Sequence, residues 1–238
     1  MDNGIFVLHS GGLDSTACLL KAIKEVGKEK VEAVGFQYGQ KHSYEIAVAH
    51  NIARKLGVSS RLIDLPESLF ASTTSSLVNK NIALPDTTYE ELKHTKGQSP
   101  TYVPFRNGIF LSLVSAIALQ SGKENIIFYG AHSEDARNWA YPDCTPEFNG
   151  SMASAIYIGT YHQVRLVTPL QFMSKADVVR EYIKYNNLEI AYSTWSCYRG
   201  PEETGLHCGT CPTCRARKEA FFQAGVRDFT HYEVEGLS

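Results

Sequence analysis

Ile5-Phe6-Val7-Leu8-His9-Ser10-Gly11-Gly12-Leu13-Asp14-Ser15-Thr16 is the stretch that decides the fold. Its first four residues form an apolar run suited to a buried strand. The segment that follows, Cys18-Leu19-Leu20-Lys21-Ala22-Ile23, has the character of a helix. A tight turn lies between them. Gly11 and Gly12 permit positive φ and close approach of the backbone to a ligand. The helix N-terminus behind them offers unpaired N–H groups and the positive end of a dipole. Ser10, Ser15 and Thr16 add hydroxyls, so strand, turn and helix together suit a phosphate or pyrophosphate. The competing reading is an ordinary βα turn, in which Gly and Ser are also common.

The Walker loop needs a Lys-Ser/Thr pair after its last glycine, and the dinucleotide fingerprint needs a third glycine; neither is present. Ser10-Gly-Gly-x-Asp-Ser15 instead resembles the pyrophosphate loop of the ATP pyrophosphatase superfamily. Asp14 is unusual in a loop for an anion, and a Mg²⁺ bridging it to phosphates would remove the repulsion.

Apolar runs continue to alternate with amphipathic stretches, the pattern of a doubly wound, mainly parallel α/β sheet of five strands. The spacing predicts strands over 5–8, 31–38, 61–65, 125–130 and 164–167. Helices are predicted over 15–26, 43–56, 107–120, 147–158 and 175–185, the last with Ser174 and Asp177 in capping-box spacing. Gly27, Gly57 and Gly122 stand where C′ glycines are expected. Residues 72–100 carry no period and read as a long loop of the lid kind. In a parallel sheet the loops leaving the carboxyl ends of the strands meet at one edge, where ligands bind. Those loops cover 10–15, 39–42, 64–106, 131–144 and 168–175, and most of the unusual residues of the chain fall in them.

The chain of 238 residues fits one core domain with a small appendage, and its net charge of -2 gives no basic field for nucleic acid. No N-terminal segment has the length or flanks of a signal peptide or membrane span, so a cytoplasmic protein without a membrane partner is expected. Its six cysteines then read as thiols or metal ligands. Cys197, Cys208, Cys211 and Cys214 follow C-x10-C-x2-C-x2-C spacing, which can close a tetrahedral structural Zn²⁺ site in a small lobe. A ferredoxin-type iron–sulfur site and a redox pair are the alternatives. Cys18 sits within a helix as a small core residue. Cys144 lies in a predicted site loop, where packing competes with a thiol role.

Further segments extend the resemblance. Gln37-Tyr38-Gly39-Gln40-Lys41-His42, Tyr102-Val103-Pro104-Phe105-Arg106-Asn107, Tyr141-Pro142-Asp143-Cys144 and Trp195-Ser196-Cys197-Tyr198 occur in this order, before the cysteine cluster. With the loop they closely resemble the 7-cyano-7-deazaguanine synthase family over most of the chain. That resemblance implies an adenine nucleotide alpha hydrolase-like domain over 1–190 and a four-cysteine zinc-binding lobe over 191–238. It implies ATP-dependent conversion of 7-carboxy-7-deazaguanine and ammonia, through a 7-amido compound, to the 7-cyano product. It also implies a homodimer.

Residue by residue, it implies that His9, Ser10, Gly11, Gly12, Leu13, Asp14, Ser15 and Thr16 bind ATP, with Mg²⁺ at Asp14. Arg106 would neutralise charge on a phosphate or carboxylate, Lys175 would be a second phosphate ligand, and His42 would transfer a proton or touch phosphate. Asp143 and Glu147 would read a guanine-like base, with Tyr141 or Phe148 stacking on it. Phe105 departs from the family's common Val-Pro-Gly-Arg-Asn form, and the loop from Ser133 to Tyr141 departs from Asp-Tyr-Ser-Gly-Tyr. Both changes touch the acceptor side of the pocket. Two alternatives follow: a related enzyme that joins a deazaguanine to a protein amine, and a non-catalytic zinc-ribbon module that responds to nucleotide.

Overall fold

Strand β1 (Gly4–Leu8) is the middle of a five-stranded sheet because both faces of its apolar run are covered. Ile5 and Val7 enter one apolar cluster, and Phe6 and Leu8 the other. That alternation is the period of two that a strand imposes. Strands β2 (Val31–Gln37), β3 (Ser59–Asp64), β4 (Asn125–Phe128) and β5 (Val164–Val167) complete the sheet in the order β3-β2-β1-β4-β5. Every pairing is parallel, with Ile5 beside Val31 on one side and Ile126 on the other. The computed structural model describes residues 3–41, 43–85, 91, 98–136, 140–200 and 205–234.

One face is covered by α1 (Leu13–Val26), α2 (Tyr44–Leu56), α5 (Lys175–Lys184) and α6 (Pro212–Gln223), which contribute Leu19, Ile52, Val178, Tyr182 and Phe221 to the first cluster. The other carries α3 (Arg106–Gln120) and α4 (Pro146–Gly159), which contribute Phe110, Leu111, Val114 and Ile156 to the second. This is the doubly wound parallel architecture that the sequence predicts. The capping box of α5 is formed: Asp177 N–H donates to Ser174 Oγ at 3.2 Å, and Ser174 N–H donates to Asp177 Oδ2 at 3.1 Å.

Several boundaries differ from the sequence reading. Strand β4 stops at Phe128, two residues early, because Gly130 has turned toward the loop after β1: a Cβ there would lie 3.3 Å from the backbone of Asp14 and Ser15. Helix α6 was not legible as a helix, and neither was the short Leu188–Tyr192 segment. The part of the 72–100 loop that is described forms turns over 71–82, and Lys41 N–H donates to the Leu77 carbonyl at 3.0 Å. Among the described residues, no helix is long and apolar enough to cross a membrane.

Strand order reverses at β1. The chain builds outward through β2 and β3, then crosses to β4 and β5 on the other side. Loops at such a switch point diverge and leave a crevice at the carboxyl edge.

Candidate active site at the carboxyl edge of the sheet

The crevice opens into a cavity of about 960 Å³ bounded by loops from all five strands or the helices that follow them. Gly11 adopts φ 78°, and a Cβ there would meet Ala49 N at 2.8 Å, so the loop can pass α2 only as glycine. Gly12 is in ordinary extended conformation and caps α1 without a side-chain bond, which leaves first-turn donors for an anion. Ser15 Oγ receives the Ser10 N–H at 3.2 Å and lies 3.1 Å from Ser10 Oγ, holding the turn closed.

Not every loop residue faces the cavity. His9, Ser10, Gly12, Asp14 and Ser15 line it; Leu13 and Thr16 are buried in packing. His9 Nε2 lies 3.0 Å from Thr16 Oγ1, and burial pulls its imidazole down to about 4. His9 is therefore neutral at physiological pH and ties strand to helix.

Asp14 is the electrostatic centre. Lys175 Nζ donates to its Oδ2 at 2.5 Å, and the fully buried His132 approaches Oδ1 at 3.6 Å. Burial alone would raise the Asp14 carboxyl, but Lys175 and His132 outweigh it and hold the group well below the usual carboxylate range. His132 Nε2 also lies 3.1 Å from Asp135 Oδ2 and 3.2 Å from Lys175 Nζ. Burial opposes charge on His132, yet Asp135 and Asp14 raise its pKa above the ordinary value. Among the described residues, Asp14 Oδ1 itself has no hydrogen-bond partner although it is shielded from water. Such an oxygen is suited to a cation, and Asp14, His132 and Asp135 place ligand atoms within 4.8 Å of one another.

A second group stands at the start of α3. Phe105, the residue before the helix, has φ 52°, a left-handed conformation that glycine takes more readily. It turns the chain so that Arg106 enters the cavity. Arg106 Nη1 donates to Tyr38 Oη at 3.0 Å, and the guanidinium lies 5.6 Å from the Tyr38 ring centre. Burial would lower its pKa, but Tyr38 and Asp143 raise it further, so the cation is permanent; among the described residues its Nε has no hydrogen-bond partner. Asp143, 3% exposed, accepts the Asn107 N–H at 3.3 Å; burial nevertheless pushes its carboxyl up. Tyr141 lines the same wall, with its hydroxyl 2.5 Å from Thr101 Oγ1. Cys144 is buried beside Tyr129 Oη at 3.3 Å, and burial pushes its thiol well up, which suits packing rather than attack.

Asp14, Lys175, Arg106, Asp143 and Tyr141 thus meet at one cavity. Glu147 and Phe148 do not line it: Glu147 is exposed on the first turn of α4, and Phe148 packs edge-on against Phe105 at 5.8 Å. His42 lies outside the described residues. Sequence reasoning did not single out His132, Asp135, Tyr38 or Glu45. The first two lie in the loop leaving β4, already marked as a site loop, and that was the available signal.

The sulfurs of Cys197, Cys208, Cys211 and Cys214 are buried and lie within 4.8 Å of one another, an arrangement able to hold a metal ion such as zinc. Backbone N–H groups of Cys208 and Cys211 donate to Cys197 Sγ and Cys208 Sγ at 3.4 and 3.3 Å. The cluster is coupled to the β1–α1 turn: Trp195 N–H, two residues before Cys197, donates to the Gly11 carbonyl at 2.9 Å. Arg217, 1% exposed, ties the cluster to the body through Thr194 Oγ1 at 2.7 Å and the Ala191 carbonyl at 2.6 Å.

Residues 4–225 match the family model described as queuosine biosynthesis protein QueC. A 7-cyano-7-deazaguanine synthase of Marinomonas sp. (strain MWYL1) is 38% identical over 98% of this chain and 100% of its own length. A protein of the same name from Thermoplasma acidophilum is 38% identical over 95% of this chain and 91% of its own. Among solved structures, an NMN synthetase from Francisella tularensis superposes with a TM-score of 0.45 at 14% identity, covering 94% of this chain and 78% of that one. The chain belongs to the QueC family of queuosine biosynthesis proteins.

Proposed function

We propose that this chain is an ATP-dependent 7-cyano-7-deazaguanine synthase, acting on 7-carboxy-7-deazaguanine and ammonia through a 7-amido compound. The observation that carries the reading is the convergence of the β1–α1 turn, the Arg106 guanidinium and the buried Asp143 carboxyl on one cavity. Family membership and relatives of that name support it.

A carboxylate is a poor electrophile, so one of its oxygens must first become a leaving group. In the proposed arrangement the loop donors and Lys175 hold the phosphates of ATP, which draws Lys175 away from Asp14. The orphan Asp14 oxygen, with Asp135 nearby, would hold a Mg²⁺ whose chemistry is neutralisation of phosphate charge. Arg106 orients the substrate carboxylate by charge-assisted hydrogen bonds. Asp143 reads the N1–H and exocyclic amine of the deazaguanine, and Tyr141 borders its ring. The same activation of the amide oxygen then yields the nitrile.

The metal at the cysteines is assigned as one structural zinc per chain. A tetrahedral site with Zn–S bonds of about 2.3 Å spaces its sulfurs by roughly 3.8 Å. The observed 4.0 Å for Cys208–Cys214 and for Cys197–Cys211 agrees with this and is too close for four cysteines that each bind a separate iron. Homodimerisation is carried over from the family resemblance.

The test is isotopic. With both carboxylate oxygens of 7-carboxy-7-deazaguanine labelled as ¹⁸O, label should appear in AMP if the α-phosphorus is attacked, or in inorganic phosphate if the γ-phosphorus is. Product formed without label in either compound would contradict activation by ATP.

A further inference from the structure

Among the described residues, four carboxylates line the cavity: Asp14, Glu45, Asp135 and Asp143. Asp14 and Asp135 are engaged by Lys175 and His132, and Asp143 is tied to the N-terminus of α3. Glu45 is placed differently. It stands on the first turn of α2 directly behind the anion loop, where a Cβ on Gly11 would lie 2.9 Å from its carbonyl oxygen. Among the described residues, no lysine, arginine or histidine lies within ion-pair distance of its carboxylate, which receives one hydrogen bond, from Gln40 Nε2 at 3.3 Å. That amide cannot turn over, because Gln40 Oε1 already accepts the Tyr38 N–H at 2.8 Å and Nε2 also donates to the Phe36 carbonyl. The carboxylate is thereby aimed and held without being neutralised.

An acid in the first turn of a helix is ordinary. An acid set into a cavity wall without a counter-ion is not, because burial disfavours its charge. The charged and titratable groups facing Glu45 among the described residues are Arg106 from α3 and Tyr38 from the end of β2. Burial pushes its carboxyl up to about 7, with Arg106 and Gln40 opposing the rise only in part. A carboxylate of that kind attracts a small cation and exchanges a proton near neutrality.

We propose that Glu45 binds the incoming ammonium ion and removes its proton in the amide-forming step, an assignment that rests on the activity proposed above. Ammonium has no lone pair. One of its protons passes to the Glu45 carboxylate, and the freed lone pair forms the C–N bond at the activated carboxyl carbon. The bond from that carbon to the phosphorylated oxygen then breaks, its electron pair leaving with that oxygen. A second nitrogen proton passes to the departing phosphate, giving a neutral amide. Glu45 returns its proton to solvent.

Hydroxylamine separates activation from proton removal, because it is largely unprotonated at neutral pH and intercepts the same activated carboxyl as a hydroxamate. Glu45→Gln should lower amide formation from ammonium by about 100-fold while hydroxamate formation is retained. Glu45→Asp, which keeps an acid on a shorter stem, should form amide faster than Glu45→Gln. Equal loss with both nucleophiles, or loss with neither, would overturn the assignment. A wild-type protein that makes neither amide nor hydroxamate would overturn the activity itself, and the assignment with it.

Discussion

Phe105 occupies a left-handed position, φ 52°, at which the family resemblance leads one to expect glycine. Its ring offsets the strain by lying over Gly108, where a Cβ would come within 2.4 Å of it, and against Phe148. Phe105→Val would put a β-branched residue there and remove the ring; urea unfolding should show a loss of about 2 kcal/mol. Phe105→Gly should stay within about 1 kcal/mol of wild type, since relief of strain and loss of packing oppose each other. Glu45 has a pH-dependent effect on stability. Its folded-state pKa of about 7 lies above that of an unfolded glutamate, so its contribution is fully present at pH 4 and is lost as pH rises through about 7. Glu45→Gln should therefore be more stable than wild type at pH 8, by on the order of 2 kcal/mol, and nearly equal to it at pH 4. Phe105 stood out in the sequence only against the family's glycine, and Glu45 did not stand out at all, because its surroundings, not its residue type, give it its character.

The element that controls the site is the β1–α1 unit with its turn. Gly11→Ala would add a Cβ 2.8 Å from Ala49 N in a left-handed conformation, and backbone cannot yield as a side chain can. We expect a loss of about 2 kcal/mol or more in stability and a larger loss of ATP affinity, measured by urea titration and calorimetry. This unit was legible because strand, glycines and helix follow one another with no competing signal. The five strands were legible for the same reason, although their ends shifted by one or two residues where hydrogen bonding, not apolarity, sets the limit. Helix α6 was hidden. Cys214 turns toward the sulfur cluster and Arg217 is buried among polar partners, so its apolar stripe is broken although Ala220 and Phe221 still pack beside α1 and α5.

Across the whole fold, the cysteine cluster and the β1–α1 turn are joined through the Trp195–Gly11 hydrogen bond and the tilted contact of Trp195 with His207, ring centres 4.1 Å apart. Zinc removal should therefore disturb more than its own surroundings. Chelation, or Cys214→Ser, should release about one zinc per chain by elemental analysis, lower the melting temperature and weaken ATP binding together. Loss of metal with unchanged ATP affinity would separate the two.

Conversion of 7-carboxy-7-deazaguanine at the Asp14 cavity is the central reaction. Mass spectrometry of purified protein with that compound, ATP, Mg²⁺ and ammonium tests it directly. The 7-cyano product should form, and Asp14→Ala should abolish it. Amide that accumulates without nitrile, or no turnover despite bound ATP, would contradict the account.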